Sequence, residues 1–141
     1  MNGRKKGREL RRKLRATGRV DFELAAHVLD LRIEPWPFPS DEVHEAKVGR
    51  WIGVAEGRSE QERRWDVAHA IGHHVLHPGN QLWLRSQTLL AEPNERQAED
   101  FAYGLLVDEA EALGEGLTEA WQLAEYFGVP EAMVRVQGRL L

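Results

Sequence analysis

Two histidines four residues apart offer the clearest chemistry in this sequence. His69 and His73 lie in the segment RWDVAHAIGHHVLH, residues 64–77. If the segment is helical, both imidazoles lie on one face with their Cβ atoms about 6 Å apart, a gap that one metal ion can bridge. Because the chain has no cysteine, any metal ligands must be His, Asp or Glu. The spacing therefore predicts a metal site built from nitrogen and oxygen ligands.

A third ligand is predicted at Glu95. It lies three residues before Ala98, which begins the apolar stripe of the next predicted helix, so its carboxylate should face inward. A buried carboxylate needs a partner, and a metal held by His69 and His73 would supply one. Two histidines and a carboxylate leave the fourth position of a tetrahedral zinc ion open, as catalysis requires. Manganese or iron could use the same ligands.

The sequence leaves other roles open for this region. The neighbouring His74 and His77 are also consistent with a solvated, histidine-rich helix face, and His77 could compete as a ligand because it continues the face of His73. Glu95 would also suit a first-turn acid that interacts with the helix dipole. A glycine in mid-helix costs about 1 kcal/mol relative to alanine, so Gly72 predicts a close approach there, such as by a strand edge and a substrate.

The composition is typical of one globular domain. The chain has 141 residues, of which 42% are hydrophobic. No apolar run is long enough to cross a bilayer, and the basic N-terminus lacks the apolar segment of a secretory signal. Together with the absence of cysteine, these features lead us to expect a cytoplasmic protein with no membrane segment.

Basic charge is concentrated in residues 1–19, which we treat as an N-terminal arm before a single domain at 20–141. Nine of the 19 Lys and Arg side chains lie in this arm, against one acid, Glu9. Such an arm could make a weak contact with nucleic acid or with an acidic partner. Because no aromatic residue interleaves with the charges, we favour a solvated and partly frayed tail.

The elements expected to hold these residues are mostly helical. The fold class is α+β, with a small antiparallel sheet and a C-terminal pair of helices that resembles a helix-turn-helix. In chain order, the pattern predicts a helix within 20–31, an edge strand and loop in 31–40, a hairpin of 44–49 and 50–57, a helix from a capping box at Ser59 to about His77, a helix after Pro93, and two helices in 117–141 with a turn at 128–130.

In three segments the chain resembles the ImmA/IrrE family of metallopeptidases. Residues 64–77 are similar to the family pattern F-T-x-A-H-E-x-G-H-x-x-L-H. The segment ERQAEDFAYGLL, residues 95–106, is similar to E-x-E-A-N-x-F-A-x-x-L-L. The segment LAEYFGVP, residues 123–130, is similar to L-A-x-x-F-x-V-S. The resemblance covers roughly residues 20–141.

The resemblance implies a fold, a cofactor and a partner. The fold would be a mostly helical, zincin-like metallopeptidase domain, with zinc bound by His69, His73 and Glu95. The partner would be a helix-turn-helix transcriptional repressor in the cytoplasm.

The chain departs from the family where catalysis needs a base. Ala70 stands in place of the motif glutamate that takes a proton from zinc-bound water. General acid–base catalysis contributes roughly 10² to 10⁴ in rate, so its loss predicts lost or reduced peptidase activity. Gln97 also replaces a frequent glutamate. We expect the nearby acids Asp66, Glu99 and Asp100 to anchor imidazole N–H groups rather than to replace the base.

Three functions follow from these observations. The leading interpretation is a family member that acts on a repressor with lost or reduced peptidase activity. The alternative is a non-enzymatic module that captures a regulator in the same cleft. DNA binding by the final helices is weaker, because residues 117–141 carry three glutamates against only Arg135 and Arg139.

Overall fold

The chain folds into a set of helices and one small sheet that packs against the central helix. The computed structural model describes residues 2–36, 44–77, 83–85 and 93–138. The helices in these ranges are α1 (Gly3–Lys13), α2 (Phe22–Leu29), α3 (Glu60–Leu76), α4 (Pro93–Leu106), α5 (Glu109–Gly114), α6 (Ala120–Phe127) and α7 (Glu131–Gln137). The strands are β1 (Arg32–Trp36), β2 (Glu45–Val48), β3 (Trp51–Ala55) and β4 (Trp83–Arg85). The predicted α+β class, mostly helical, is confirmed.

The sheet is mixed rather than antiparallel throughout. Its strand order is β1-β3-β2-β4, and β2 runs antiparallel to both β3 and β4. Gly49, with φ at 56°, lies in the tight turn that reverses the chain between β2 and β3. β1 is an edge strand, as its Pro35 predicts, but it pairs with β3 in parallel. The loop expected after β1 falls largely outside the described residues.

α3 is the central helix and begins as predicted. The Ser59 hydroxyl accepts from the backbone N–H of Glu62 at 3.1 Å, and the backbone N–H of Ser59 donates to the Glu62 carboxylate at 3.0 Å. From Trp65 to His73 every residue of α3 is buried, because α4 packs on one side and β2 and β3 on another. The expectation of a solvated histidine-rich face is therefore wrong for His69 and His73.

A glycine sets the distance between α3 and α4. A Cβ atom added to Gly72 would lie 3.1 Å from the carbonyl oxygen of Ala98 and 3.2 Å from its Cα. The close approach predicted at Gly72 is therefore made by the backbone of α4, not by a strand edge or a substrate. Since Glu95 lies one turn before Ala98, this packing brings the first turn of α4 to the histidines of α3.

α1 packs backbone to backbone against α4. A Cβ atom on Gly7 would lie well under 3.0 Å from the carbonyl oxygen of Phe101, and one on Gly104 would meet the carbonyl oxygen of Arg4 just as closely. Two helices can approach this closely only where side chains are absent. The expectation that residues 1–19 form a frayed tail is therefore wrong for α1.

A buried arginine fastens α1 to the C-terminal half of the chain. Arg11 is 4% exposed and donates to the carbonyl oxygens of Leu105 and Leu106 at 3.1 and 3.2 Å. It also pairs with the carboxylate of Glu111 at 3.1 Å. At least one of the basic residues of the N-terminus is therefore buried and stabilises the packing of α1 in the core.

The C-terminal pair of helices forms as predicted. Gly128, with φ at 70°, ends α6 in the left-handed conformation, and α7 starts after Pro130. Phe127 and Val134 are fully buried, so the pair packs into the core. Within the described ranges, no helix has both the length and the apolar character needed to span a bilayer.

Candidate metal centre

α3 and α4 bring the three predicted ligands together. Nε2 of His69 lies 3.0 Å from Oε2 of Glu95, and Nε2 of His73 lies 2.9 Å from Oε1 of the same carboxylate. One ligand atom from each of the three residues lies within 4.8 Å of the other two. Each His contributes the same ring nitrogen, so the arrangement is suited to one small cation.

The distribution of protons also favours a cation at this point. A neutral imidazole carries a proton on only one of its two nitrogens. His69 has a carboxylate oxygen 3.0 Å from each of them, from Glu45 at Nδ1 and from Glu95 at Nε2. If His69 is neutral, one of its nitrogens therefore faces a carboxylate oxygen without a proton between them. A metal ion beside Nε2 and Glu95 removes that repulsion, so the residues present fit a metal.

The acid–base balance of the site matches what a metal requires. Burial raises the pKa of the Glu95 carboxyl, but hydrogen bonds from His69 and His73 and their charges outweigh it and hold the pKa well below its usual range. Burial lowers the pKa of His73 below the ordinary 6.5, although its hydrogen bond to Glu95 opposes the shift. An ionised carboxylate and a neutral imidazole are the forms that bind metal.

Comparison with known families gives this arrangement a context. Residues 19–137 match the peptidase M78 family, described as the IrrE N-terminal-like domain. The chain belongs to this family. The resemblance to ImmA/IrrE metallopeptidases is thereby confirmed, and the match runs from just after α1 through α7. No curated protein matches the chain.

One buried acid of this M78 family member was missed by sequence reasoning. Glu45 on β2 is 2% exposed, and its Oε1 lies 3.0 Å from Nδ1 of His69, the ring nitrogen turned away from Glu95. A carboxylate at that position fixes the ring orientation of a ligating histidine. The signal in the sequence was misleading. The segment EAKV alternates polar and apolar residues, which predicts that Glu45 and Lys47 lie on a solvent-exposed face, whereas Glu45, Ala46 and Lys47 are all buried.

The acids that the sequence placed near the ligands have other positions. Asp66 is fully buried and accepts hydrogen bonds from Arg58 at 2.8 and 3.0 Å, so a guanidinium neutralises its charge. Glu99 and Asp100 are half-buried on α4. Within the described part of the chain, the cluster of ligand atoms includes none of these three acids.

His77 is directed away from the ligand cluster. Its Nδ1 lies 3.2 Å from Nδ1 of His73, whereas the ligand atom of His73 is Nε2. The expectation that His77 competes as a ligand is therefore not met in this geometry. His74, the other neighbour, is half-buried, and burial together with the charges of Lys47 and Arg50 lowers its pKa.

Ala70 lies directly beside the first ligand. It is 1% exposed and belongs to the hydrophobic core cluster. A methyl group cannot accept a proton, and among the described residues the only acid in the ligand cluster is Glu95 itself. The site thus combines three residues that could hold a metal ion with no base at the position where the motif has one.

Proposed function

We propose that this protein binds a zinc ion through His69, His73 and Glu95. The observation that carries the proposal is the convergence of two Nε2 atoms on the two oxygens of one carboxylate. Manganese or iron would be accepted by the same ligands, so the metal must be identified by measurement.

The proposed role is that of an M78 family protein that acts on a transcriptional repressor with lost or reduced peptidase activity. A metal in this site supplies Lewis acidity toward a peptide carbonyl and toward water. His69, His73 and Glu95 hold it, and Glu45 keeps Nε2 of His69 directed at it. The methyl of Ala70 leaves no side chain at the motif position to carry a proton to the leaving amine. A repressor target would place the protein in the cytoplasm.

The missing base also favours a second candidate, a non-enzymatic module that captures a regulator in the same cleft. Both candidates keep the ligands, and they differ in whether the partner is cut and in whether binding needs the metal. Capture that is indifferent to a chelator would support the module. Cleavage that a chelator abolishes would support the peptidase.

A weak contact with nucleic acid is a lesser proposal that concerns α1 alone. Five of its cations are exposed on the surface that does not pack against α4: Lys5, Lys6, Arg8, Arg12 and Lys13. Affinity for duplex DNA that falls steeply with salt, and that disappears when these cations are replaced by glutamine, would support it.

The first test is elemental analysis of protein purified without a histidine tag. The wild type should hold zinc in a ratio near one per chain, and His69→Ala and Glu95→Ala should each lose it. His74→Ala is the matched control, since this neighbour is outside the ligand cluster and should retain zinc. No metal in any preparation, or metal retained by both ligand variants, would overturn the proposal.

A further inference from the structure

A line of hydrogen-bonding contacts leads from the metal centre back to α4. Nδ1 of His73 lies 3.2 Å from Nδ1 of His77, and Nε2 of His77 lies 3.0 Å from the side-chain oxygen of Gln97. His77 is the half-buried residue that ends α3, and Gln97 lies two residues after Glu95. Neither His77 nor Gln97 belongs to the ligand cluster.

The proton on each ring follows from the acceptor at the end of this line. The side-chain oxygen of Gln97 can only accept a hydrogen bond, so Nε2 of His77 must carry a proton. In a neutral imidazole, Nδ1 of His77 is then an acceptor, and Nδ1 of His73 must donate to it. Nε2 of His73 is then left with its lone pair 2.9 Å from a Glu95 oxygen. A cation bound beside these two atoms makes that arrangement favourable, so this order of protons belongs to the metal-bound site.

We propose that His77 and Gln97 are a positioning pair that commits Nε2 of His73 to the metal. The inference rests on the proposed metal site and deepens it, since it assigns to His77 a role in binding that is not ligation. Outer partners of this kind fix the tautomer and the ring angle of a ligating histidine. This pair contacts Nδ1 of His73 and orients its ring, and Glu45 does the same for His69.

The pair also couples the two ligand-bearing helices. Glu95 and Gln97 lie on α4, and they contact the two members of the His73–His77 couple. One helix therefore supplies a ligand and also sets the orientation of a ligand on the other helix. A substitution at Gln97 should therefore change the affinity for the metal through two hydrogen bonds, although it replaces none of the ligands.

Two removal variants and one matched control test the pair. His77→Leu removes the acceptor that faces His73, and Gln97→Leu removes the acceptor that faces His77. His74→Leu makes the same replacement at a half-buried neighbour outside the pair. Circular dichroism establishes that each variant folds, and Gln97→Leu decides the question if His77→Leu does not.

The first readout does not depend on activity. Long-range proton–nitrogen correlation spectra of zinc-loaded protein, at a pH well above the ordinary histidine pKa of 6.5, report which nitrogen of each ring is protonated. In the wild type and in His74→Leu, the proton of His77 should be on Nε2, and the Nδ1 proton of His73 should exchange slowly with solvent. In His77→Leu and Gln97→Leu the Nδ1 proton of His73 should exchange faster.

The second readout is the zinc dissociation constant, measured by competition with a chromophoric chelator. Loss of such an outer partner weakens metal binding about 10- to 100-fold, and we expect this range for His77→Leu and Gln97→Leu. Gln97→Glu keeps an acceptor in place and should restore affinity to within about threefold of the wild type. His74→Leu should bind as the wild type does.

Two results would overturn the inference. One is a zinc-loaded wild type whose His77 has its proton on Nδ1, and the other is a folded removal variant that keeps both the slow exchange of the His73 Nδ1 proton and the wild-type affinity. Failure of the metal site itself looks different, because His69→Ala would then bind zinc as well as the wild type.

Discussion

Oε1 of Glu45 lies 3.0 Å from Nδ1 of His69, and both side chains are buried. The contact joins the sheet to the central helix directly behind a predicted ligand. Replacing Glu45 by Gln keeps the size of the side chain but removes the charge that favours an N–H at Nδ1. We expect zinc affinity to fall roughly 10-fold, as measured by chelator competition. Glu34→Gln on β1 is the control, and equal affinity in both variants would contradict the assigned role.

Restoring the motif glutamate should restore chemistry. Ala70→Glu is expected to raise peptidase activity about 10²- to 10⁴-fold, because it supplies a proton acceptor beside His69. It should also lower stability, since Ala70 is 1% exposed and a buried carboxylate needs a partner. Cleavage of candidate repressors, with and without chelator, is the measurement. Ala70→Gln adds the same bulk without a base, and equal cleavage by that variant would refute the assignment.

The packing of α1 on α4 can be tested at one glycine. Gly7→Ala should destabilise the fold by about 1–3 kcal/mol, because its Cβ would clash with the backbone of Phe101, which cannot rotate away. Gly114→Ala is the control, since nothing lies within 4 Å of the added atom. That variant should be neutral or up to about 1 kcal/mol more stable. Urea unfolding measures both, and a neutral Gly7→Ala would mean that α1 is not docked.

The buried pair of Asp66 and Arg58 should be a strong determinant of stability. Arg58→Ala leaves the fully buried carboxylate of Asp66 without its guanidinium, which typically costs about 3–5 kcal/mol. Arg32→Ala breaks an exposed, solvent-screened ion pair with Glu34 and should change stability far less. The free energy of unfolding, taken from urea melts, compares the two. Similar losses in both variants would show that the Asp66 carboxylate is solvated.

Acid should destabilise the metal-free protein. Burial lowers the pKa of His73 below 6.5, so the unfolded chain takes up this proton at a higher pH than the folded chain does. The stabilisation from a neutral His73 is therefore present above pH 6.5 and is lost as the pH falls. Glu95, whose pKa is also lowered, adds a loss in the same direction below its ordinary 4.5. The slope should not exceed about 1.4 kcal/mol per pH unit for each proton.

Urea melts in the presence of a chelator, at a series of pH values, measure that slope. His73→Gln should flatten the pH dependence in the range where the histidine titrates. Stability that increases as the pH is lowered toward 5 would contradict the assigned direction.

The convergence of the three candidate ligands could be predicted from the sequence because their spacing is a local property. A helical register places His69 and His73 on one face, and the apolar stripe of α4 turns Glu95 inward. Each inference needed only the period of a helix. The pairing of the two helices then followed from the chemistry of the ligands.

The partners behind the ligands could not be predicted because they depend on tertiary packing. Glu45 reaches His69 only after β2 takes its place beside α3, and Gln97 reaches His77 only after α4 docks. β1 could in principle pair with either edge of the sheet, and the alternation of polar and apolar residues along a strand does not indicate which edge it joins. Its parallel pairing with β3 could therefore not be predicted either.

The docking of α1 was missed for a different physical reason. Its strong apolar contacts are made only by Leu10 and by Leu14, which follows the helix, and it meets the backbone of α4 directly at Gly3 and Gly7. Close packing of this kind has no hydrophobic period, so the basic residues dominate the sequence pattern. A spacing of four between glycines was the one available signal, and it is weak alone.

The partnership of α1 and α4 has a consequence for how the chain folds. The groove that α1 fills lies on a helix that is synthesised some 80 residues later, so on the ribosome the first helix emerges long before its binding surface exists. The contact of Arg11 with Leu105 joins residues 94 positions apart, and the entropy of closing that loop is lost before the contacts are gained. We therefore expect α1 to join the structure last and to be the first element to detach.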